Sequence, residues 1–156
     1  MAIRRVREWG DEVLTKPCKE VTKMTLRTKL LIDDMFDTMY DKMGVGLAAS
    51  QVGILKRIVV IDVYDEPIVL INPVIVEREG EQTGDEACLS VPGKVGTVTR
   101  PNHVRVKALN EEMEEVFYEG DELLARAFCH EIDHLEGELY VSHIEGELKD
   151  AEHIEE

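Results

Sequence analysis

The apolar positions along the chain change period twice. From Thr25 to Met43 they recur at helical spacing, with Leu30, Met35, Met39 and Met43 on one stripe and Leu26, Leu31 and Phe36 widening it. Asp33, Asp34, Asp37 and Asp41 fall largely on the opposite side. Thr25 is suited to cap this helix, and Gly44 to supply the left-handed residue that ends it. After Gly53 the pattern reads as strand. Arg57–Val63 is a nearly continuous apolar run, followed by Ile68–Ile71 and, after Pro73, by Val74–Val76. The stretch Gly80 to Gly96 is rich in Gly, Glu, Asp and Pro and reads as a loop, with Cys88 in its middle. His103–Leu109 alternates as a half-buried strand, Asn110–Met113 reads as a turn, and Glu115–Glu119 as the next strand. Asp121 then caps a helix running to about Glu136 and stopped by Gly137. Glu145–Glu156 reads as a short helix or a frayed acidic tail. Helix, several strands and helix, without repeats or a linker, predict an α+β fold in one domain, residues 1–156, with 145–156 as its tail.

Composition narrows the function classes. The chain has 18 basic and 33 acidic residues, a net charge of −15, with 44% hydrophobic residues. That is enough apolar material for a core, and such a charge repels a nucleic-acid backbone. The charge is uneven, because residues 1–30 carry eight bases and four acids. No apolar run reaches the length of a membrane span, and the N-terminal bases are not followed by the apolar stretch of a secretory signal. Three widely spaced cysteines, Cys18, Cys88 and Cys129, argue for a reducing, cytoplasmic setting rather than a disulfide framework.

The strongest chemical signal is His130-Glu131-Ile132-Asp133-His134. Residues four apart on a helix lie one turn apart on the same face, so both imidazoles can reach one ion. Glu131 is placed to contact a metal-bound water without ligating, the layout of metal-assisted hydrolysis. Leu123, Leu124, Ala127, Phe128, Ile132 and Leu135 make this helix apolar enough to be buried, and buried histidines need a partner. Asp133 reads equally as an acceptor for an imidazole or as a solvated acid. A third ligand is needed. The metzincin position, six residues after His134, is Tyr140, and a downstream thermolysin-type glutamate would have to be Glu155 or Glu156 at the chain end. Cys88, in a polar segment, is the better third ligand. Cys129 is turned about 100° from His130 and Cys18 has no companion motif, so both read as packed thiols. Gly44 to Gln51 is a run of small residues ending in an amide that can donate to an oxyanion; it lacks the spacing of a dinucleotide loop.

Gly44–Gln51 (GVGLAASQ), Glu86–Ser90 (EACLS) and Cys129–Gly137 (CHEIDHLEG), in this order, resemble the three motifs of the peptide deformylases, and the resemblance spans nearly the whole chain. It implies a compact α+β fold with mixed or antiparallel sheets around a central metal-binding helix. It implies a hydrolase that removes the N-formyl group from the N-terminal formylmethionine of new polypeptides, releasing formate. It assigns the metal to Cys88, His130 and His134, and the general base and acid role to Glu131. The oxyanion donors would be Gln51 and the Leu89 N–H, with Val45, Gly46 and Ala87 beside the substrate. One divalent ion is implied, Fe²⁺ natively, with Zn²⁺, Ni²⁺ or Co²⁺ able to replace it. A methionine pocket near Val45, Leu123 and Ala127 is expected. Three departures stand out: Ala87 replaces a usual Gly, Ser50 a usual Pro or Thr, and Cys129 a usual Gln. The acidic C-terminus also differs from the basic helix with which some bacterial members dock on the ribosome. Transient ribosome association would need another surface, and neither nucleic acid nor membrane is an expected partner. The rival readings are a small HExxH peptidase, which lacks its third ligand here, and a metal-binding protein without activity, which would not need Glu131 or Gln51.

Overall fold

The structure is a computed structural model that describes residues 2–151. Two helices and eight strands occur among them. The first helix, α1, spans Leu26–Asp41, and its Thr25 cap accepts a hydrogen bond from the Thr28 N–H. Strands β1 (Gly46–Ala48), β2 (Ile58–Ile61), β3 (Ile68–Glu79), β6 (His103–Leu109) and β7 (Glu115–Asp121) pair antiparallel in the order β1-β2-β3-β6-β7. Strands β4 (Gln82–Cys88), β5 (Val91–Arg100) and β8 (Glu145–Asp150) form a second antiparallel sheet in the order β4-β5-β8. The second helix, α2, spans Glu122–Leu135.

The five-stranded sheet is covered on both faces, which explains the unbroken apolar run of β2. Its alternate residues Ile58 and Val60 pack toward α1 with Leu31, Ile32, Met35 and Met39. Val59 and Ile61 pack with Val104, Val106, Phe128, Ile132 and Leu135, beneath α2. A smaller cluster of Leu14, Cys88, Val91, Val98, Leu139 and Tyr140 lies under the second sheet. The fold is α+β with antiparallel sheets and α2 between them.

Five local expectations differ from the structure. In α1 the buried stripe runs through Thr28, Leu31, Ile32, Met35, Thr38 and Met39, whereas Leu26, Leu30 and Met43 are exposed. The helix carries more apolar residues than its contact face can hold. Asp34 is buried rather than solvated, because Ala2 N–H donates to it at 2.7 Å and Arg4 Nε at 2.9 Å. The left-handed residue after α1 is Met43, with φ 57°, and not Gly44. Residues 80–96 are largely a β-hairpin rather than a loop. Only one face of β4 is covered, so Thr83, Asp85 and Ala87 alternate with more buried partners and leave the segment polar. Residues 145–150 are neither helix nor frayed tail but strand β8, with Lys94 opposite Asp150 and Thr97 opposite Glu145. The rest of that tail, 152–156, lies outside the described residues.

Candidate active site

Helix α2 turns both motif histidines inward, with ring centroids 5.1 Å apart. Strand β4 ends at Cys88, whose Sγ lies 3.3 Å from His134 Nε2. One donor atom each from Cys88, His130 and His134 lies within 4.8 Å of the other two, and all three residues are buried. A thiol and two imidazoles, buried and converging, form a donor set suited to a borderline-soft divalent ion.

Glu131 shares this pocket. Its Oε1 is buried and has no hydrogen-bond partner among the described residues. Burial pushes its carboxyl up to about 7, with Glu86 and Asp133 adding to the rise and His130 and Arg100 opposing it. A carboxyl so placed can exchange a proton near neutral pH. Gly46 makes room for it, since a Cβ there would lie 2.6 Å from Glu131 Oε2. Gly44 does the same for Leu89, whose Cδ1 would meet a Cβ at 2.8 Å. The small residues of this run therefore serve close approach.

Gln51 sits in the 3-10 turn Ala49–Val52 and is buried. Its Oε1 accepts from Ala48 N–H at 2.9 Å, and its Nε2 lies 3.0 Å from Ser90 Oγ and 3.5 Å from Cys88 Sγ. The N-terminal segment ties these parts together. Arg7 N–H donates to Gln51 C=O and Trp9 N–H to Ser90 C=O, each at 2.7 Å.

A group of buried charges supports His130, and the sequence did not show it. Glu86 Oε1 lies 2.9 Å from His130 Nδ1. The same carboxylate accepts from Arg100 Nε at 2.7 Å and Nη2 at 3.0 Å, and from Arg126 Nη1 at 2.8 Å. Burial alone would raise the Glu86 pKa, but the bonds from Arg100 and His130 outweigh it and hold the pKa at about 2. Its ionised form fixes the imidazole through the nitrogen that faces it. Asp133 turns to Arg100 at 2.8 Å, so it orients a guanidinium rather than a motif imidazole. The available signal was Arg126 in an apolar helix one turn before His130; a buried arginine demands a carboxylate.

A cavity of about 870 Å³ opens over the site, and its wall includes Val45, Gly46, Ala87, Cys88, Leu89, His130 and Glu131. Arg5, Glu8, Lys42 and Met43 are among its other lining residues. Gln51 and His134 do not line it and are buried. Leu123 and Ala127, expected in a methionine pocket, do not line it either. Leu123 is exposed and Ala127 buried in the core cluster under α2, while Arg126 is engaged by Glu86. Cys129 and Cys18 are buried free thiols, and burial pushes Cys129 up to about 11.

An HExxH helix, a converging thiol and an unpartnered acid beside an open cleft define a metal-dependent hydrolase. The family model described as polypeptide deformylase matches residues 3–150. A peptide deformylase of Agathobacter rectalis is 62% identical over 151 residues, 97% of this chain and 96% of that protein. One from Lachnoclostridium phytofermentans is 57% identical, covering 100% of this chain and 98% of that protein. The crystal structure of the Thermotoga maritima peptide deformylase superposes with a TM-score of 0.90 at 41% identity, over 92% of this chain and 99% of that one. That of the Synechococcus elongatus peptide deformylase, in complex with actinonin, gives 0.88 at 41% identity, over 90% and 78%. The chain belongs to the peptide deformylase family, metal-dependent hydrolases that remove the N-formyl group from nascent peptides.

Proposed function

We propose that Cys88, His130 and His134 hold the metal, that Glu131 carries the proton, and that Gln51 and the Leu89 N–H donate to the oxyanion. The observation that carries this reading is the orphaned Glu131 Oε1, buried over Gly46 beside the three converging donors. Bound there, a divalent ion would supply Lewis acidity toward water and the formyl oxygen. Glu131 accepts the proton from the attacking water and returns it to the leaving amine. Leu89 faces the cavity next to Cys88, where its N–H can meet charge as it develops. Glu86 keeps the His130 ring in place throughout.

The substrate peptide lies extended between Val45 and Gly46 on one side and Ala87 on the other. Strands β1 and β4 are each the outer strand of their sheet, and both reach this cavity, so the peptide can add as a strand. The Ala87 methyl lies on that path. The native ion is Fe²⁺, with Zn²⁺, Ni²⁺ and Co²⁺ as substitutes; a thiolate with two imidazoles suits all four. The setting is cytoplasmic, which three buried free thiols support. The whole chain, 1–156, acts as one catalytic domain. Residues 145–150, an acidic strand, do not offer a basic helix for any transient contact with the ribosome.

Formate release from a formyl-Met peptide, measured beside metal content, tests the assignment. Glu131→Gln and Glu131→Ala are expected to keep one metal per chain and lose turnover. Loss of metal in folded Glu131→Ala would make Glu131 a ligand and overturn its role.

A further inference from the structure

We infer that Ser90 is the positioning residue for Gln51, holding its amide so that one N–H can pass from the Cys88 sulfur to the oxyanion. The inference rests on the roles proposed above for Cys88 and Gln51.

The Gln51 amide is fixed at both ends. Its oxygen accepts from Ala48 N–H at 2.9 Å within its own turn, which leaves the nitrogen facing the β4–β5 turn. The nitrogen has two hydrogens and two acceptors within reach, Ser90 Oγ at 3.0 Å and Cys88 Sγ at 3.5 Å. The hydroxyl contact is the short one. Sulfur is a diffuse and weaker acceptor than oxygen, and a bound metal would draw charge from it, so the second hydrogen is the less firmly committed. An oxyanion outcompetes it, because a compact charged oxygen is the stronger acceptor. Cys88 lines the cavity and Gln51 does not, so Gln51 meets the cavity wall at this sulfur.

Ser90 is itself pinned. It is fully buried, its N–H donates to Cys88 Sγ at 3.4 Å, and its C=O accepts from Trp9 N–H at 2.7 Å. Both main-chain bonds survive substitution of the side chain. Only the hydroxyl reaches Gln51. Without it the Gln51 nitrogen is left buried with the sulfur alone, and the amide loses the anchor that keeps one hydrogen disposable.

The test is a double-mutant cycle on Ser90→Ala and Gln51→Ala, with kcat, KM, metal content and the sulfur-to-cobalt charge-transfer band of the Co²⁺-loaded protein. Ser90→Ala is expected to lower kcat by about three- to tenfold, the scale of one hydrogen bond, with KM and metal content little changed. In the Gln51→Ala background the same change should cost nothing more, since Ser90 acts through Gln51. The band should shift in both single variants. Full kcat in Ser90→Ala with a deep loss in Gln51→Ala would overturn the inference and leave the proposed role of Gln51 standing. Additive losses, or an unmoved band in both variants, would also overturn it. Near-normal kcat in Gln51→Ala would instead remove the reading on which it rests. If Ser90→Ala does not fold, Ser90→Thr and Ser90→Val carry the test, because they differ only by a hydroxyl for a methyl. Thr is expected to outpace Val, and equal kcat in the pair would overturn the inference.

Discussion

A methyl group on Gly46 would sit 2.6 Å from Glu131 Oε2 and 2.9 Å from its Cγ, inside any allowed contact. The carboxylate would have to move, and misplacement of a catalytic group by about 1 Å can cost a hundredfold. Gly46→Ala is therefore expected to keep its metal and fold while kcat falls by up to about a hundredfold; unchanged kcat would mean that the clash is relieved elsewhere. Glu86 predicts a different signature. Its replacement by glutamine keeps the shape but removes the charge between Arg100, Arg126 and His130. Metal affinity is expected to drop by roughly ten- to a hundredfold, read by competition with a chelator, because His130 loses the partner that orients it. At this scale the sequence was a good guide to the chemistry and a poor one to its support. His130, Glu131 and His134 declare themselves because one helix turn joins them. Cys88 stands out by its polar neighbours. Glu86 does not, because its partners Arg100 and Arg126 lie 14 and 40 residues away and only the packing of β4, β5 and α2 brings them together.

Elements were legible where both faces are buried and obscure where one faces water. Strand β2 reads as a continuous apolar run because α1 and α2 clamp it from opposite sides. The β4–β5 hairpin and β8 have acids and glycines on their outer faces, so composition points to loop and tail although backbone pairing makes them strands. Asp34 shows the same limit in α1, since its burial depends on Ala2 and Arg4, 32 and 30 residues upstream. Burial would raise its carboxyl, but the bonds from Ala2 and Arg4 outweigh it and hold it below its ordinary value of 3.8. The folded protein thus binds this proton less readily than the unfolded chain. The stability Asp34 contributes is fully present above about pH 4 and is lost as pH falls through the depressed folded value. Asp34→Asn is expected to lower stability at pH 7 and to shrink the gap from wild type below pH 4, measured by urea melts across that range. A constant gap at every pH would show that its charge is not what holds the N-terminal segment to α1.

Across the whole molecule the candidate ligands join parts that otherwise meet through packing and the ion pairs of Glu86 and Asp133. Cys88 ends β4 in the three-stranded sheet, while His130 and His134 ride on α2, which packs against the five-stranded one. An ion held by all three would cross-link the two sheets through the helix between them. Binding to the native state alone stabilises it by mass action, about 2.7 kcal/mol at a hundredfold excess of ligand over Kd. For a chain of this size each kcal/mol moves Tm by about 2–4 °C, so stripping the metal with a chelator should lower Tm by roughly 5–10 °C. The comparison that isolates the bridge is Cys88→Ser against Cys129→Ser. A hydroxyl is a poor replacement for a thiolate ligand, so in Cys88→Ser the chelator is expected to move Tm little, from a baseline near that of the stripped wild type. Cys129 is buried in the core cluster under α2 and is absent from the converging donor set. Its serine variant should lose some stability from packing yet keep the full response to chelator. Should Cys88→Ser and wild type respond alike, the metal would be held by α2 alone, and the link between the two sheets would rest on apolar contacts and the Glu86 ion pairs.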